Sequence, residues 1–275
     1  MELITSKANP KIKQIRALRQ HKARQAAGLL VVEGIRPVGE AIAAHAQIES
    51  LVYAPDLLTS DYAQRLITEE TARGVPAYPT TPDVFSSIAE KDNPQGLLAV
   101  VVQPHTHLAS LNPNNFSWGV AAISPQDPGN TGAILRTIDA AGASGLILID
   151  NSVDPFHPTA VRASMGALFW LPVAQTSFSE FSAWASTHAY QLYGTSAHAS
   201  QDYREIPHYE HPCILLLGSE REGLSLEQLN ICQHRVRLPM AGRTTSLNLA
   251  VAAGILLYDM LEKQASQNLQ NFTNH

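Results

Sequence analysis

The sequence predicts an α/β protein of two domains. Short apolar runs rich in Val, Leu and Ile alternate with stretches whose apolar residues recur at helical spacing. A polar, turn-rich segment over residues 104–118 interrupts that rhythm, which restarts after it. At 275 residues and 45% hydrophobic composition there is material for two buried cores. The expected layout is a first domain over 1–103, a linker over 104–118 and a second domain over 119–275.

Residues 7–27 read as one helix, with Ile12, Ile15 and Leu18 spaced three apart and Gly28 closing it. A strand follows at 29–33, a helix at 38–46 and a second strand at 48–53. Helices near 61–73 and 82–89 flank a short strand at 75–78, and the apolar run 97–102 ends the first domain. In the second domain, strand 119–123, loop 124–130, helix 131–141 and strand 145–150 form a βαβ unit, which predicts a parallel pair. Further strands are expected at 169–173, 191–195, 213–217 and 235–238, with helices near 159–166, 178–188, 225–230 and 245–264.

The net charge of −5 conceals a strong asymmetry. Residues 1–36 hold eight cations (Lys7, Lys11, Lys13, Arg16, Arg19, Lys22, Arg24 and Arg36) against Glu2 and Glu33, whereas the remaining 239 residues hold 11 cations against 22 anions. Such a cluster fits either a surface that docks a phosphate backbone or a solvated helix face. The first residues lack the apolar core of a signal peptide, and no apolar stretch approaches the roughly 18 residues that span a bilayer, so a soluble cytoplasmic protein without membrane contact is expected. Cys213 and Cys232 give no disulfide framework, and the pairs His211/Cys213 and Cys232/His234 lack the spacing of a structural zinc site. The dinucleotide glycine fingerprint, the P-loop and the G-x-S-x-G nucleophile elbow are all absent, which disfavours a nucleotide-dependent oxidoreductase and a hydrolase of that kind.

Three segments carry the chemistry: Asp127-Pro-Gly-Asn-Thr-Gly132 with Arg136 beyond it, Gly218-Ser-Glu-Arg-Glu-Gly223, and Leu238-Pro-Met-Ala-Gly-Arg-Thr-Thr-Ser-Leu-Asn248. Each opens at or just after an apolar, strand-like run, where a sharp turn leaves backbone groups open to a ligand. Taken alone, Asn130 suits the N-cap of the helix at 131–141, and Arg136 could simply be a solvated cation. Glu220 stands at the carboxyl end of a buried strand, where open α/β sheets place their ligands. The hydroxyls and amide of 243–248 exceed what capping the next helix needs.

These segments, in this order, resemble the SpoU/TrmH-like branch of the SPOUT superfamily, the RNA ribose 2′-O-methyltransferases. Arg162-Ala-Ser-Met-Gly-Ala-Leu-Phe-Trp-Leu-Pro172 is similar to the branch's intermediate segment, and Ser6 to Pro10, Leu29 to Gly34 and Gln95 to Ala99 resemble an L30e-like substrate-binding domain. The resemblance implies a deep trefoil knot in a parallel-sheet second domain and S-adenosyl-L-methionine as cofactor. It implies a cofactor cradle of Thr195, Gly218, Leu238, Met240 and Leu247, and a catalytic set of Asn130, Arg136, Glu220, Ser246 and Asn248. Arg136 would grip the phosphate beside the target and polarise the hydroxyl, Asn130 and Asn248 would orient the hydroxyl and Arg136, Glu220 would hold Arg136 or the loop, and Ser246 would fix the third loop. No metal is called for. A homodimer whose sites draw on both subunits is expected, acting on ribosomal RNA ahead of tRNA. The rival reading is a non-catalytic RNA-binding or ribosome-assembly factor. One departure from the branch is visible, since Leu249-Ala250 stand after Asn248 where members often carry Val-Ser.

Overall fold

The structure is a computed structural model that describes residues 2–273, with side chains placed through Gln264. Two compact units emerge, one of residues up to 104 together with 154–170, the other of 105–153 together with 171 onward.

In the first unit α1 (Pro10–Ala17) and α2 (His21–Ala27) precede β1 (Leu29–Glu33), α3 (Ile35–Ala43), β2 (Ile48–Tyr53), α4 (Asp61–Ala72), β3 (Ala77–Pro79), α5 (Pro82–Ser86) and β4 (Leu97–Val102). Its sheet runs β1-β4-β2-β3, antiparallel except for the β2/β3 pair. One face buries Val52, Leu98 and Val100 against Ile12, Ile15 and Leu18 of the N-terminal turns and against Val84 and Phe85 of α5. Burial of these side chains is the main driving force for docking the basic helix.

The helix expected over 7–27 is broken at Leu18. There the Arg24 guanidinium donates to the carbonyls of Leu18 (2.9 Å) and Arg19 (2.8 Å), replacing the backbone donors that a continuous helix would supply. Arg24 is 1% exposed and bonded through Nη2 to Asp154 at 2.6 Å. Gly28 takes the left-handed conformation at φ 63° that ends α2.

The second unit starts with β5 (Trp118–Ile123), α6 (Pro128–Ala141) and β6 (Leu146–Ile149). After α7 (Pro158–Ala163) and α8 (Ala167–Trp170), which group with the first unit, come β7 (Val173–Thr176), α9 (Phe178–Thr187), β8 (Gln191–Thr195), β9 (Gln201–Asp202), β10 (Cys213–Leu217), α10 (Leu226–Asn230), β11 (His234–Arg237) and α11 (Leu249–Thr273). All seven strands are parallel, in the order β7-β6-β5-β10-β8-β11-β9. Strands such as β5, β6 and β10 are buried on both faces, which is why they read as unbroken apolar runs. Trp184 of α9 stacks on Tyr190 at 4.6 Å and donates to the Leu111 carbonyl, filling one side of this core.

The strand expected at 169–173 is instead α8 followed by β7. Ala-Leu-Phe-Trp-Leu is an apolar run without a diagnostic period, and Gly166 at φ 101° turns the chain into a helix before Pro172 lets the strand begin. Among the described residues no helix is long and apolar enough to cross a membrane.

Removing Asp154 leaves a buried guanidinium without its carboxylate. Asp154→Ala is expected to lower the unfolding free energy by about 3 kcal/mol in urea titration. A loss near zero would contradict the account of the α1/α2 break.

Candidate functional site

The site lies at the carboxyl ends of four adjacent strands, β5, β10, β8 and β11. From β5 the chain proceeds to β6 on one side, while β10, much later in sequence, pairs on the other. A crevice opens outside the strand ends at such a switch point. The loops leaving β5, β10 and β11 are the three chemistry-bearing segments.

The loop after β10 is shaped by its own backbone. Ser219 and Gly223 exchange backbone hydrogen bonds of 3.2 and 3.0 Å, and Ser219 Oγ accepts from the Glu222 N–H. A Cβ at Gly218 would run into the carbonyl carbon of Gly223 and the nitrogen of Leu224. Glycine is therefore required at 218 by the chain's close return on itself, a different reason from the ligand approach that the sequence suggests.

Glu220, at the tip of this loop, reaches across to the loop after β5. Its Oε2 accepts from the Gln126 N–H at 3.2 Å and its Oε1 from Asn130 Nδ2 at 3.3 Å. Asn130 Oδ1 in turn accepts from Asn248 Nδ2 at 2.8 Å, and Asn248 Oδ1 accepts from the backbone N–H of Ala250 at 2.9 Å. A carboxylate can only accept and a backbone N–H can only donate, so the orientation of both amides is fixed by the two ends of the chain. Glu220, Asn130 and Asn248 thus form one polarised line joining all three segments.

Asp127, not Asn130, caps α6. Its Oδ1 accepts from the Asn130 N–H at 2.9 Å, with Pro128 in the first turn. Asp-Pro is itself a helix-start signal, so the cap is readable in the sequence, and its consequence is that the Asn130 side chain is released for the line just described. Nothing in its sequence context singles out Gln126, yet its side chain donates to the carbonyls of Ser124 (2.8 Å) and Asn151 (2.9 Å) and ties down the β5 loop.

Beside this line is a cavity of 440 Å³ lined by Thr195, Gly218, Glu220, Leu238, Met240, Ser246 and Leu247 among others. Leu217, Leu224, Val236 and Leu249 extend its apolar wall, and Glu222 adds a second carboxylate. Residues 239–247 make no backbone–backbone hydrogen bond among the described residues, which leaves the N–H groups of 240–247 and the carbonyls other than that of Ser246 available. A second cavity of 700 Å³, lined by Ser124, Asp127, Asn130 and the 219–222 loop, opens on the other side of Glu220. Ser246 is linked only to Thr244, among the described residues, whose Oγ1 donates to its carbonyl at 2.9 Å.

Arg136 stands apart. It is exposed on α6, lines neither cavity and has no hydrogen bond or ion pair among the described residues, so Glu220 holds the β5 loop and not this arginine. Both cysteines are buried, and burial pushes the thiols of Cys213 up to about 12 and Cys232 up to about 11, which leaves neither a nucleophile at neutral pH. Among the described residues no group of three or more His, Cys, Asp or Glu could hold a metal ion.

Five of the eight N-terminal cations have partners within the first unit. Lys7 pairs with Asp83, Lys11 with Glu49 and Arg24 with Asp154, while Arg16 donates to Ser87 and Arg19 to the Ala89 carbonyl. Lys13, Lys22 and Arg36 are exposed and make no such contact among the described residues.

Residues 118–258 match the SpoU rRNA methylase family, and residues 9–99 match an MRM3-like substrate binding domain. The chain belongs to the SpoU rRNA methylase family. It is 33% identical over 275 residues to a 23S rRNA (uridine(2479)-2′-O)-methyltransferase of Streptomyces viridochromogenes, covering 96% of this chain and 93% of the relative. It is 30% identical to a 23S rRNA (guanosine(2553)-2′-O)-methyltransferase of Bacillus subtilis, covering 94% and 99%. The crystal structure of an AdoMet-bound rRNA methyltransferase from Sinorhizobium meliloti superimposes with a TM-score of 0.87 at 36% identity, covering 94% of this chain and 97% of that one.

Asn248 has two separable duties, the cap of α11 and the bond to Asn130. Asn248→Ala is expected to cost about 1–2 kcal/mol in denaturant unfolding, whereas Asn248→Asp, which keeps the cap acceptor, costs less. Equal losses for the two variants would show that the cap contributes nothing.

Proposed function

We propose that this member of the SpoU family transfers the methyl group of S-adenosylmethionine to a ribose 2′-hydroxyl of ribosomal RNA, in the cytoplasm, as a homodimer. The observation that carries the reading is the Glu220–Asn130–Asn248 line, whose Glu220 also lines the 440 Å³ cavity, in a chain whose near-full-length relatives include two 23S rRNA 2′-O-methyltransferases. Residues 1–103 are assigned to RNA binding, 104–118 to a linker and 119–275 to the methyltransferase domain. The strand order, with β10 inserted between β5 and β8, supports a knotted path for the last segment of that domain.

The cavity suits this cofactor. Leu217, Leu238, Met240 and Leu247 offer apolar surface for an adenine ring, the free backbone groups of 239–247 can read its edge, and the carboxylates of Glu220 and Glu222 complement a positively charged ligand. Thr195 and Gly218 complete the lining. When bound, S-adenosylmethionine supplies an electrophilic methyl group on a sulfonium.

The protein's task is to present a hydroxyl in line with that methyl group and to ease its deprotonation. Asn130 and Asn248, oriented by the line, are assigned to position the ribose hydroxyl. Glu220 is assigned to hold the two loops in register. Ser246 is assigned to fix the third loop at the cavity wall. Arg136 is assigned to the phosphate next to the target, which guanidinium can grip through two parallel hydrogen bonds.

Because Arg136 has no partner among the described residues of its own chain, we assign it to the site of a second copy. An apolar stripe on α11 agrees with this: Val251 and Tyr258 are 51% and 52% exposed on the helix that packs against α6. Arg136→Ala is expected to abolish methyl transfer while changing cofactor affinity, measured by calorimetry, no more than a few-fold. Asn130→Ala should also be inactive, and mixing the two variants should restore roughly one quarter of the wild-type rate, because half of the sites in each mixed dimer are intact. No restoration on mixing would place Arg136 in the site of its own chain, and an active Arg136→Ala would remove it from the mechanism.

A further inference from the structure

Trp170 is an exposed tryptophan held in a fixed pose. Of the three tryptophans, Trp118 and Trp184 are 5% and 8% exposed, while Trp170 is 52% exposed at the end of the short helix α8. A lone exposed apolar side chain is ordinary on a protein surface. This one differs because its edge is anchored. The indole Nε1 donates to Glu40 Oε2 of α3 at 3.1 Å. Glu40 is itself pinned, since Gly166 lies so close that a Cβ there would stand 2.5 Å from Glu40 Cβ. With its one donor satisfied and its edge fixed, the indole presents its face to solvent at little further entropic cost.

A cation without a partner among the described residues stands close to the anchor. Arg36 lies one helical turn before Glu40, on the same face of α3, exposed and without a hydrogen bond or ion pair among the described residues. Both Arg36 and Glu40 fall within residues 9–99, the part of the chain that matches a substrate binding domain, and Trp170 belongs to the same compact unit. A flat aromatic face beside an unpaired cation is the arrangement by which proteins hold an unstacked base and its phosphate.

We propose that Trp170 is a stacking platform for an unpaired nucleobase of the RNA substrate, with Arg36 taking the adjoining phosphate and Glu40 acting as the positioning residue for the indole. The proposal rests on the RNA-modifying reading above and adds to it a contact outside the methyl-transfer site. It requires the RNA to offer a single-stranded loop or bulge, because a base within a duplex cannot reach an indole face.

The test uses the intact protein and its own fluorescence, to which Trp170 is the solvent-accessible contributor. A short unpaired RNA of mixed sequence should quench that emission on titration, and the same sequence as a blunt duplex should not. Trp170→Phe, which keeps a ring, should bind the unpaired RNA within about two-fold of wild type, whereas Trp170→Ala should weaken it by about five-fold or more. Circular dichroism of the variants checks that the fold is retained, as expected for an exposed side chain. Several results would overturn the proposal: no binding of the unpaired RNA, binding without quenching, or equal affinity of Trp170→Ala and wild type. A blue shift that depends on protein concentration alone would do so too, by showing that a second copy covers the indole. Any of these alongside intact methyl transfer to ribosomal RNA would sink the platform and leave the methyltransferase reading standing.

Discussion

The Glu220 carboxylate is the interaction on which the site depends. It stands on a loop that leaves β10 and binds a backbone N–H and a side-chain amide of the loop that leaves β5, so it closes the mouth of two neighbouring strands with one group. That reach is possible only because Gly218 lets the chain fold back on Gly223. From Glu220 the polarity of Asn130 and then of Asn248 is dictated, and Asn248 fixes the start of α11. One carboxylate thereby sets the donor and acceptor pattern along a line that joins three segments far apart in sequence, and it lines both neighbouring cavities.

This arrangement explains why the three segments are conspicuous in the sequence alone. A turn that must place Gly or Pro just beyond a buried strand leaves a compositional mark, and the strands at 29–33, 48–53, 97–102 and 213–217 are followed within two residues by Gly34, Pro55, Pro104 and Gly218. The helix break at Leu18 leaves no mark, because it is caused by Arg24, a cation that looks like its solvated neighbours until its buried position beside Asp154 is known. Phe169 and Trp170 read as strand for a similar reason: five apolar residues in a row carry no period. The line from Glu220 to Asn248 is equally invisible in the sequence, since hydrogen bonds between residues 90 and 118 positions apart depend on strand order, and parallel order cannot be read from one sequence.

Charge is the least transferable part of the sequence reading. A count of eight cations in the first 36 residues suggests a broad phosphate-binding face, but five of them are held by partners in the same unit. Of that cluster, Lys13, Lys22 and Arg36 are exposed without a hydrogen bond or ion pair among the described residues. Binding that uses few ion contacts must draw on shape and stacking for the rest, and its affinity then falls less steeply with salt than that of a protein gripping many phosphates.

We assign the cavity and its hydrogen-bonded line to methyl transfer to a ribose hydroxyl. The most direct measurement is incubation of the purified protein with radiolabelled S-adenosylmethionine and ribosomal RNA lacking the modification, followed by alkaline hydrolysis. A 2′-O-methyl group blocks cleavage of the adjoining phosphodiester, so the label is expected in alkali-stable dinucleotides and is expected to vanish with Glu220→Ala. Label recovered in mononucleotides would mean methylation of a base, and label retained by Glu220→Ala would mean that the line from Glu220 to Asn248 is not what organises the reaction.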